Sequence, residues 1–448
     1  MGRVRVNRAR AIGVPGEDSG AGASAGGGPG VNLPLLRSHN AALALDLLRA
    51  AGENGISRLE IADRTGLTPQ AVSKITARLR DEGLVEEAGR RASTGGKPRT
   101  VLCLVRSAAY AVGVQLDRDE MTAVLMDLAG TRVATRVVPL DLGAGPDVVT
   151  GQAAEQVRTL LADSLPDEKA GGMAAALADE AEAADGTAEG VAAETADRTT
   201  ADGMAEALSA VRGPRKKPRT LVLGVGVAMP GPLDHFAGVP HRVTGYPEWD
   251  GYRLRDKLAA RLGLPVVLDK DTNAAALGLV LRGTGGSFAY LHLGTGIGAG
   301  LVLDGELYRG VRTGAGEFGH QIVQLDGPPC ECGKRGCIEA LCLAAVARGD
   351  IAEAARVLGI GVANLVELLD IDQVLLGGRV VAAAEAEFIR GVRATLVSRT
   401  RAQVGPAGGG AYRVAEGAAQ LVLAPVFGRA EAAYASPPPL RAEPRSAL

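Results

Sequence analysis

The sequence contains no apolar run that reaches the roughly 20 residues a membrane-spanning helix requires. Its start, MGRVRVNRARAIGVPGEDSG, carries charge without the apolar core of a secretory signal. These two absences exclude a membrane protein and a secreted protein from the expected classes. We therefore expect a cytoplasmic protein with no membrane partner.

Cysteine is scarce, with five among 448 residues, and the net charge is only −2. The cysteines are Cys103, Cys330, Cys332, Cys337 and Cys342. Three of them cluster near a histidine, which is typical of a metal site in a reducing compartment. The balanced charge does not exclude DNA binding, because a small basic module can be hidden in the average. The length suggests two or three domains with a sizeable core.

The strongest functional signal is the stretch 314–339, which reads GAGEFGHQIVQLDGPPCECGKRGCIE. An imidazole and three thiolates fill a tetrahedral zinc shell and leave no position for water, so the predicted zinc is structural. The four predicted ligands are His320, Cys330, Cys332 and Cys337. A disulfide with spare thiols is the alternative, which is weakened because Cys330 and Cys332 are too close to pair comfortably.

Two carboxylates belong to the same stretch. Glu317 lies one helical turn before His320, and Glu339 follows Cys337. A metal clip would fix both carboxylates around one small space, which suits neutral polyols because a carboxylate accepts several hydroxyl hydrogen bonds. For either glutamate alone, a solvated surface position is the preferred explanation.

The segment after Leu33 is predicted to form three helices and a wing. Apolar residues at helical spacing end at Gly52, Ser57 caps a second helix, and Thr68 caps a third that begins with proline. Two short helices joined by a tight turn form a helix-turn-helix. LVEEAGRRASTGGKPRTVLCL follows as a two-stranded wing.

The third helix and the wing tip are the predicted DNA contacts. Side chains on the exposed face of the helix can reach base edges in a major groove, and basic residues at the tip can enter a minor groove. These residues are Gln70, Ser73, Lys74, Arg78, Lys97 and Arg99. A small helical domain that binds protein is the alternative.

EFGH followed by CECGKRGCIE resembles the signature of the ROK family, which groups sugar-responsive repressors with sugar kinases. The resemblance extends from about Leu33 to the end of the folded region. It implies an α/β fold class, with an N-terminal winged helix-turn-helix followed by a two-lobed actin-like (duplicated ribonuclease-H-like) ATPase fold.

The expected domains follow from this resemblance and from composition. The stretch after residue 163 is rich in Ala, Asp, Glu, Thr and Gly, which is typical of a disordered insert. The expected organisation is a tail at 1–30, a winged helix-turn-helix at 31–105, a small lobe at 106–235 with an insert at about 163–219, a large lobe at 236–428 and a tail at 429–448.

The resemblance also implies sugar-binding residues. His320 would touch both zinc and sugar, with Glu317 and Glu339 beside it. Asp271 stands where the kinases have the base that removes a sugar proton, and in a repressor it would hydrogen-bond the ligand. Its position at a strand end and helix start is also explained by the helix dipole alone.

Two positions depart from the family around the sugar. Lys270 stands where the family usually has asparagine, and Thr244 lies near the place of another missing asparagine. These departures leave open an unusual ligand or none. Trp249, the only tryptophan, is expected to anchor the following loop or to shape the cleft.

The two expected phosphate loops differ from each other. In the first, GVQLDRDE at 113–120, Gln115 replaces an acid and charged side chains replace small ones. These side chains would crowd and repel phosphates. The second loop, with Gly294, Thr295 and Gly296, resembles an intact one, although tight hairpins need glycine in any case.

We therefore expect a sugar-responsive DNA-binding transcriptional regulator, in its usual mode a repressor, that controls carbohydrate metabolism genes. It would bind a two-fold operator in double-stranded DNA as a homodimer or dimer of dimers and would not be an enzyme. The alternatives are an ATP-dependent ROK sugar kinase with a DNA-binding head and a regulator that no longer binds sugar. Near the C-terminus, YRVAEG is predicted as a strand and AAQLVLAPVFGRAEAAY as the last helix.

Overall fold

The computed structural model describes residues 33–91, 99–165, 221–396 and 402–429. The predicted tail at 1–30, the insert from residue 166 onward, the C-terminal tail from residue 430 and the wing tip with Lys97 lie outside these ranges. Within them, no helix combines the length and apolar character that a membrane crossing requires.

The described ranges contain both helices and strands. The helices are α1 (Leu33–Ala51), α2 (Arg58–Thr65), α3 (Pro69–Asp81), α4 (Pro146–Ser164), α5 (Leu254–Leu262), α6 (Asp271–Leu281), α7 (Ile338–Ala347), α8 (Ile351–Leu369), α9 (Arg379–Ala383), α10 (Glu385–Leu396) and α11 (Arg413–Leu423). The strands are β1 (Ile56–Ser57), β2 (Val85–Arg91), β3 (Arg99–Leu104), β4 (Ala109–Leu116), β5 (Glu120–Asp127), β6 (Arg132–Pro139), β7 (Leu221–Met229), β8 (Leu233–Asp234), β9 (Val239–Pro240), β10 (Val266–Lys270), β11 (Phe288–Leu293), β12 (Ile297–Leu303), β13 (Glu306–Tyr308), β14 (Gln373–Gly377) and β15 (Gln403–Pro406).

The N-terminal domain is a winged helix, as predicted. Helices α1 to α3 pack beside a small sheet in the order β1-β3-β2. Ser57 caps α2 in a reciprocal capping box with Glu60, and the Thr68 hydroxyl accepts the backbone N–H of Ala71 at the start of α3. The caps fix where both helices begin, and the turn between them is therefore set by local sequence.

Two five-stranded sheets form the body, and they have the same topology. Their orders are β6-β5-β4-β7-β10 and β13-β12-β11-β14-β15. In each, the first three strands along the chain pair antiparallel and the next two add parallel on the other side. This repetition confirms the predicted duplicated, actin-like fold.

The first sheet extends beyond the range that composition suggested for the small lobe. Strand β10, at Val266–Lys270, pairs parallel with β7, although it lies past residue 235. Trp249 is fully buried against this lobe, and its Nε1–H donates to the carbonyl of Leu142 at 3.1 Å. Trp249 therefore anchors its loop to the lobe and does not line a cleft.

The C-terminal segment differs from the sequence prediction. The predicted strand YRVAEG is wrong, because these residues begin helix α11, which packs against β4, β7 and α6. A Cβ atom at Gly113 would collide with the carbonyl oxygen of Ala415, and one at Gly417 would collide with that of Ala274. This close packing stabilises the helix, and local propensity contains no information about it.

The chain end returns to the N-terminal domain. After α11, a 3-10 turn at Ala424–Phe427 packs against α1. The Arg429 guanidinium lies 2.6 Å from the Asp46 carboxylate, and the Arg49 guanidinium lies 5.2 Å from the centre of the Phe427 ring. One apolar core runs from the helices of the winged domain into α6 and α11. The domain and the body are therefore packed as one unit.

Candidate ligand cleft and metal centre

A cleft lies between the two lobes, where the ends of strands from both sheets meet. It is lined by the turn after β4, the start of α6, the turn after β11 and parts of the stretch 314–339. The structure brings all six predicted sugar-binding side chains to this cleft: Thr244, Lys270, Asp271, Glu317, His320 and Glu339.

Lys270 is the most deeply placed cation of the cleft. Its side chain is 3% exposed, and its Nζ lies 3.1 Å from Glu317 Oε1 and donates to the carbonyl of Ala315. A Cβ atom at Gly231 would lie 2.6 Å from Lys270 Cδ, so the backbone at Gly231 forms the wall against which the lysine stem packs. The ammonium is thus held inside the protein.

Asp271 begins α6 and faces the cleft. Burial raises the pKa of its carboxyl to about 7, the hydrogen bond from the backbone N–H of Thr272 lowers it, and the nearby charge of Asp117 raises it further. The helix dipole does not keep this group at its ordinary pKa. At neutral pH the group is close to its titration midpoint, so it can donate or accept a hydrogen bond.

Glu317, His320 and Glu339 reach the cleft from the stretch that carries the cysteines. Glu317 precedes the 3-10 turn Phe318–His320, and the backbone N–H of His320 donates to its carbonyl at 3.2 Å. Glu339 lies in the first turn of α7 and accepts the backbone N–H of Ile297 at 2.7 Å. Glu339 therefore ties α7 to the second hairpin.

The four predicted metal ligands converge on one point. The donor atoms of His320, Cys330, Cys332 and Cys337 all lie within 4.8 Å of one another. The Sγ atoms of Cys332 and Cys337 are 3.7 Å apart, as are Cys330 Sγ and His320 Nδ1. Tetrahedral zinc with bonds of about 2.3 Å places sulfurs roughly 3.8 Å apart, so the donor set fits a metal ion.

The disulfide alternative finds no support in this geometry. All five cysteines are free, and the 3.7 Å between Cys332 and Cys337 far exceeds a disulfide bond of about 2.05 Å. Burial raises the pKa of the Cys337 thiol to about 12. A metal ion would have to displace this proton on binding.

The turn at residues 117–119, between β4 and β5, contacts the opposite lobe through three consecutive side chains. The Thr295 hydroxyl donates to Asp117 at 3.0 Å, Arg118 lies 3.6 Å from Glu331 between two of the cysteines, and Asp119 pairs with Arg379 at 2.9 Å. The charged residues of the first loop therefore bridge the cleft. Thr295 and Gly296 of the second loop line it, and Gly294 belongs to the same turn.

Sequence reasoning missed two cleft features. His292 lines the cleft beside the second loop, with its Nδ1 2.9 Å from the Tyr290 hydroxyl, and burial lowers its pKa to about 4. Arg379 at the rim was also missed. The available signal for His292 was its position two residues before Gly294 of the glycine turn. Arg379 had no such signal, because its partner Asp119 is 260 residues away.

The candidate DNA contacts lie on one face of α3. Gln70, Ser73, Lys74 and Arg78 are exposed, whereas Val72 and Leu79 are buried. Arg78 pairs with Glu82 at 2.9 Å across one helical turn. Arg99 is exposed at the start of β3. Lys97 lies outside the described residues.

The described part of the chain thus combines a winged helix with a two-lobed, actin-like body that holds a cleft and a cysteine–histidine cluster. The ROK family profile matches residues 171–346 and the MarR family profile matches residues 37–93. Residues 171–346 are thus similar to the ROK family, and residues 37–93 are similar to the MarR family.

Parts of the chain are similar to curated proteins. The chain is 25% identical to the xylose repressor of Bacillus subtilis over 287 residues, which cover 63% of this chain and 61% of that protein. It is 42% identical to the glucokinase of Thermotoga maritima over 128 residues, which cover 28% of this chain and 40% of that enzyme.

The solved structure of a ROK family transcriptional regulator, a homologue of the E. coli MLC protein, matches with a TM-score of 0.64 at 19% identity. The match covers 88% of this chain and 97% of that one. At this level of identity, the match shows that the two chains share a fold.

The raised pKa of Asp271 predicts how stability depends on pH. The unfolded chain ionises this carboxyl near its ordinary pKa, whereas the folded protein holds the proton until about pH 7. Asp271 therefore lowers the free energy of unfolding progressively as the pH rises from about 4 to about 7. We expect the free energy of unfolding of Asp271→Asn, taken relative to that of the wild type, to increase by on the order of 2–4 kcal/mol across that interval.

Thermal or urea unfolding of both proteins at about pH 5 and about pH 8 measures this difference. The matched control is Asp372→Asn, which changes an exposed carboxyl in the same way and is expected to show no pH-dependent gain. A difference in the free energy of unfolding between Asp271→Asn and the wild type that does not change with pH would contradict the prediction.

Proposed function

We propose that this chain is a sugar-responsive transcriptional repressor of carbohydrate metabolism genes. One observation carries the proposal: a winged helix with an exposed recognition face shares a continuous apolar core with the body that holds the carboxylate-lined cleft. The resemblance to a xylose repressor supports this. It would act in the cytoplasm, on double-stranded operator DNA, as a homodimer or dimer of dimers, because two-fold operators match two-fold proteins.

The cleft supports a polyol ligand. Asp271, Glu317 and Glu339 offer carboxylate oxygens, each with acceptor capacity beyond its protein partners. Thr244 and His320 add polar groups at the wall. Several acceptors around one small space recognise hydroxyl donors spaced as on a sugar ring.

The cysteine–histidine cluster is proposed to hold a structural zinc ion. His320, Cys330, Cys332 and Cys337 would be its ligands, and the four would leave no open position. His320 lines the cleft, and Cys337 directly precedes α7, the helix that carries Glu339. The ion would supply rigidity, so that these two side chains keep their positions toward the ligand.

The path from the cleft to the DNA-binding domain is proposed to run through two packed helices. Helix α6 begins at Asp271 in the cleft and packs against α11, with Gly417 in close approach to Ala274. Helix α11 leads into the turn Ala424–Phe427 and then to Arg429, which pairs with Asp46 of α1. A ligand shifts DNA affinity only if it binds the two arrangements of this path differently.

A sugar kinase with a DNA-binding head is the second candidate function. The pKa of Asp271, raised to about 7, suits a general base, and the segment similar to a glucokinase points the same way. Against it, the first loop places Asp117 and Asp119 where phosphates would approach, and phosphoryl transfer depends on positioning and charge neutralisation. We therefore propose that the chain is not an enzyme. A coupled assay of ADP release with glucose, N-acetylglucosamine and xylose separates the two functions.

Removing one thiol tests the metal centre. We expect the purified protein to carry about one zinc ion per chain and Cys332→Ser to lose most of it, because three ligands hold the ion far less tightly than four. The matched control is Cys342→Ser, whose buried thiol donates to the carbonyl of Ala354 outside the cluster. Elemental analysis by mass spectrometry gives the occupancy. Equal zinc in the two variants would contradict the assignment.

DNA binding is tested on the recognition face. We expect Lys74→Ala to weaken binding about tenfold and to lower the slope of affinity against salt by about one, because one phosphate or base contact is lost. Fluorescence anisotropy on DNA from upstream of the chain's own gene, at two salt concentrations, measures both. Lys257→Ala removes a lysine from α5 of the body and is the control. An equal loss in both variants, or no binding at low salt, would refute the DNA-binding role.

The proposed path to the DNA-binding domain is tested at Arg429. We expect Arg429→Ala to reduce the ratio of DNA affinities without and with an active sugar by at least about threefold, because the pair with Asp46 couples the chain end to α1. Arg356→Ala, which breaks an exposed pair with Glu353 on α8, is expected to leave the ratio unchanged. A normal ratio in Arg429→Ala would place the coupling elsewhere.

A further inference from the structure

A lysine in a ligand cleft usually indicates a negatively charged ligand, but Lys270 does not offer its charge to the cleft. Its ammonium lies 3.1 Å from Glu317 Oε1 and donates to the Ala315 carbonyl, and its side chain is 3% exposed. A buried charge is stable only when it is paired and hydrogen-bonded. Because Glu317 satisfies the lysine, an anionic ligand would have to replace a partner that is already in place.

The cations at the rim are paired as well. Arg118 lies 3.6 Å from Glu331 and donates to the carbonyl of Thr244, and Arg379 makes two contacts with the Asp119 carboxylate, at 2.9 and 3.1 Å. These pairs are partly exposed, so water screens them and each is weaker than the pair at Lys270. Both guanidinium groups nevertheless already have a carboxylate partner in place.

The remaining acids of the cleft have only neutral partners. Asp117 accepts the Thr295 hydroxyl, Asp271 accepts the backbone N–H of Thr272, and Glu339 accepts the backbone N–H of Ile297. None of these three carboxylates has an ion-pair partner among the described residues. The ligand space therefore has a surplus of negative charge. The pKa of Asp271, raised by burial and further by the charges of Asp117 and Glu317, agrees with this surplus.

We infer that the cleft selects an unphosphorylated, uncharged sugar and rejects the corresponding sugar phosphate, because Glu317 neutralises Lys270 and the other carboxylates face the ligand. This inference rests on the proposed function and specifies the chemical class of its effector. Hydroxyl groups donate to carboxylates, whereas a phosphate dianion only accepts hydrogen bonds and would be repelled by the same groups. A divalent ion held by three thiolates carries net negative charge, so a loaded metal centre would not reverse this preference.

The direct test is isothermal titration of the full chain with sugar and ester pairs. The probes are glucose with glucose 6-phosphate and N-acetylglucosamine with its 6-phosphate, together with xylose. We expect at least one uncharged sugar to bind, and where it has an ester in the panel, that ester to bind at least about tenfold more weakly. An ester that binds as tightly as its sugar, or no binding by any of the five probes, would overturn the inference.

The role of Glu317 is tested by Glu317→Gln, which keeps the shape of the side chain and removes the charge that neutralises Lys270. We expect the affinity ratio of ester to sugar to rise at least about tenfold, since the freed ammonium attracts phosphate. The matched control is Glu353→Gln on the exposed face of α8, where the lost partner is Arg356 and the ratio is expected to stay unchanged.

A second variant keeps the test decisive if Glu317→Gln does not fold. Asp119→Asn frees Arg379 at the exposed rim and is expected to shift the ratio in the same direction by a smaller factor, because water screens this site. DNA binding, measured by anisotropy on the same samples, distinguishes a failure of the proposed function from a failure of the inferred ligand class. If the wild type does not bind DNA, the proposed function is contradicted. If DNA binding is intact and the affinity ratio of ester to sugar is unchanged in both variants, only the ligand class is contradicted.

Discussion

The close approach of helix α11 to the first sheet is the constraint on which the arrangement of the protein depends. The helix lies so near β4 and β7 that Gly113 and Gly226 have no room for a Cβ atom, since the carbonyl oxygens of Ala415 and Ala418 occupy that space. The same helix packs against α6, which begins in the cleft, and continues to the turn that holds α1. One segment thus closes the small lobe, supports the cleft and anchors the winged domain.

The cations Arg118, Lys270 and Arg379 at the cleft are each paired with a carboxylate of the protein itself. In the family's kinases, as the resemblance implies, small residues after β4 give access to phosphates, whereas here three charged side chains extend from that turn to the opposite lobe. Lys270 and Glu317 neutralise each other at the floor. In this fold, which is associated with phosphoryl transfer, the cleft therefore presents carboxylate acceptors. We propose that the same charges disfavour ATP and select an uncharged ligand.

Local sequence predicted the elements whose boundaries depend on near neighbours. Ser57 and Thr68 cap their helices, because capping needs only a hydroxyl and the next three residues. The cysteine cluster was predicted for the same reason, since three of its four ligands lie within one tight loop. The segment at 412–417 was predicted as a strand and is helical, because its apolar face packs on a sheet formed hundreds of residues earlier. Local propensity is a weak guide where such packing competes with it.

The sequence by itself predicted the winged helix-turn-helix and the cysteine–histidine cluster from residues at short separation, and the duplicated body was implied by the resemblance to the ROK family. Only the tertiary structure decided what the charged residues do. Lys270 meets Glu317 from 47 residues away, and Asp119 meets Arg379 from 260. The pKa of Asp271 depends on burial and on Asp117, which follows a different strand of the same sheet. Electrostatic partners are determined by distance in space, which a linear pattern does not contain, and the physical character of the ligand site therefore depends on the fold.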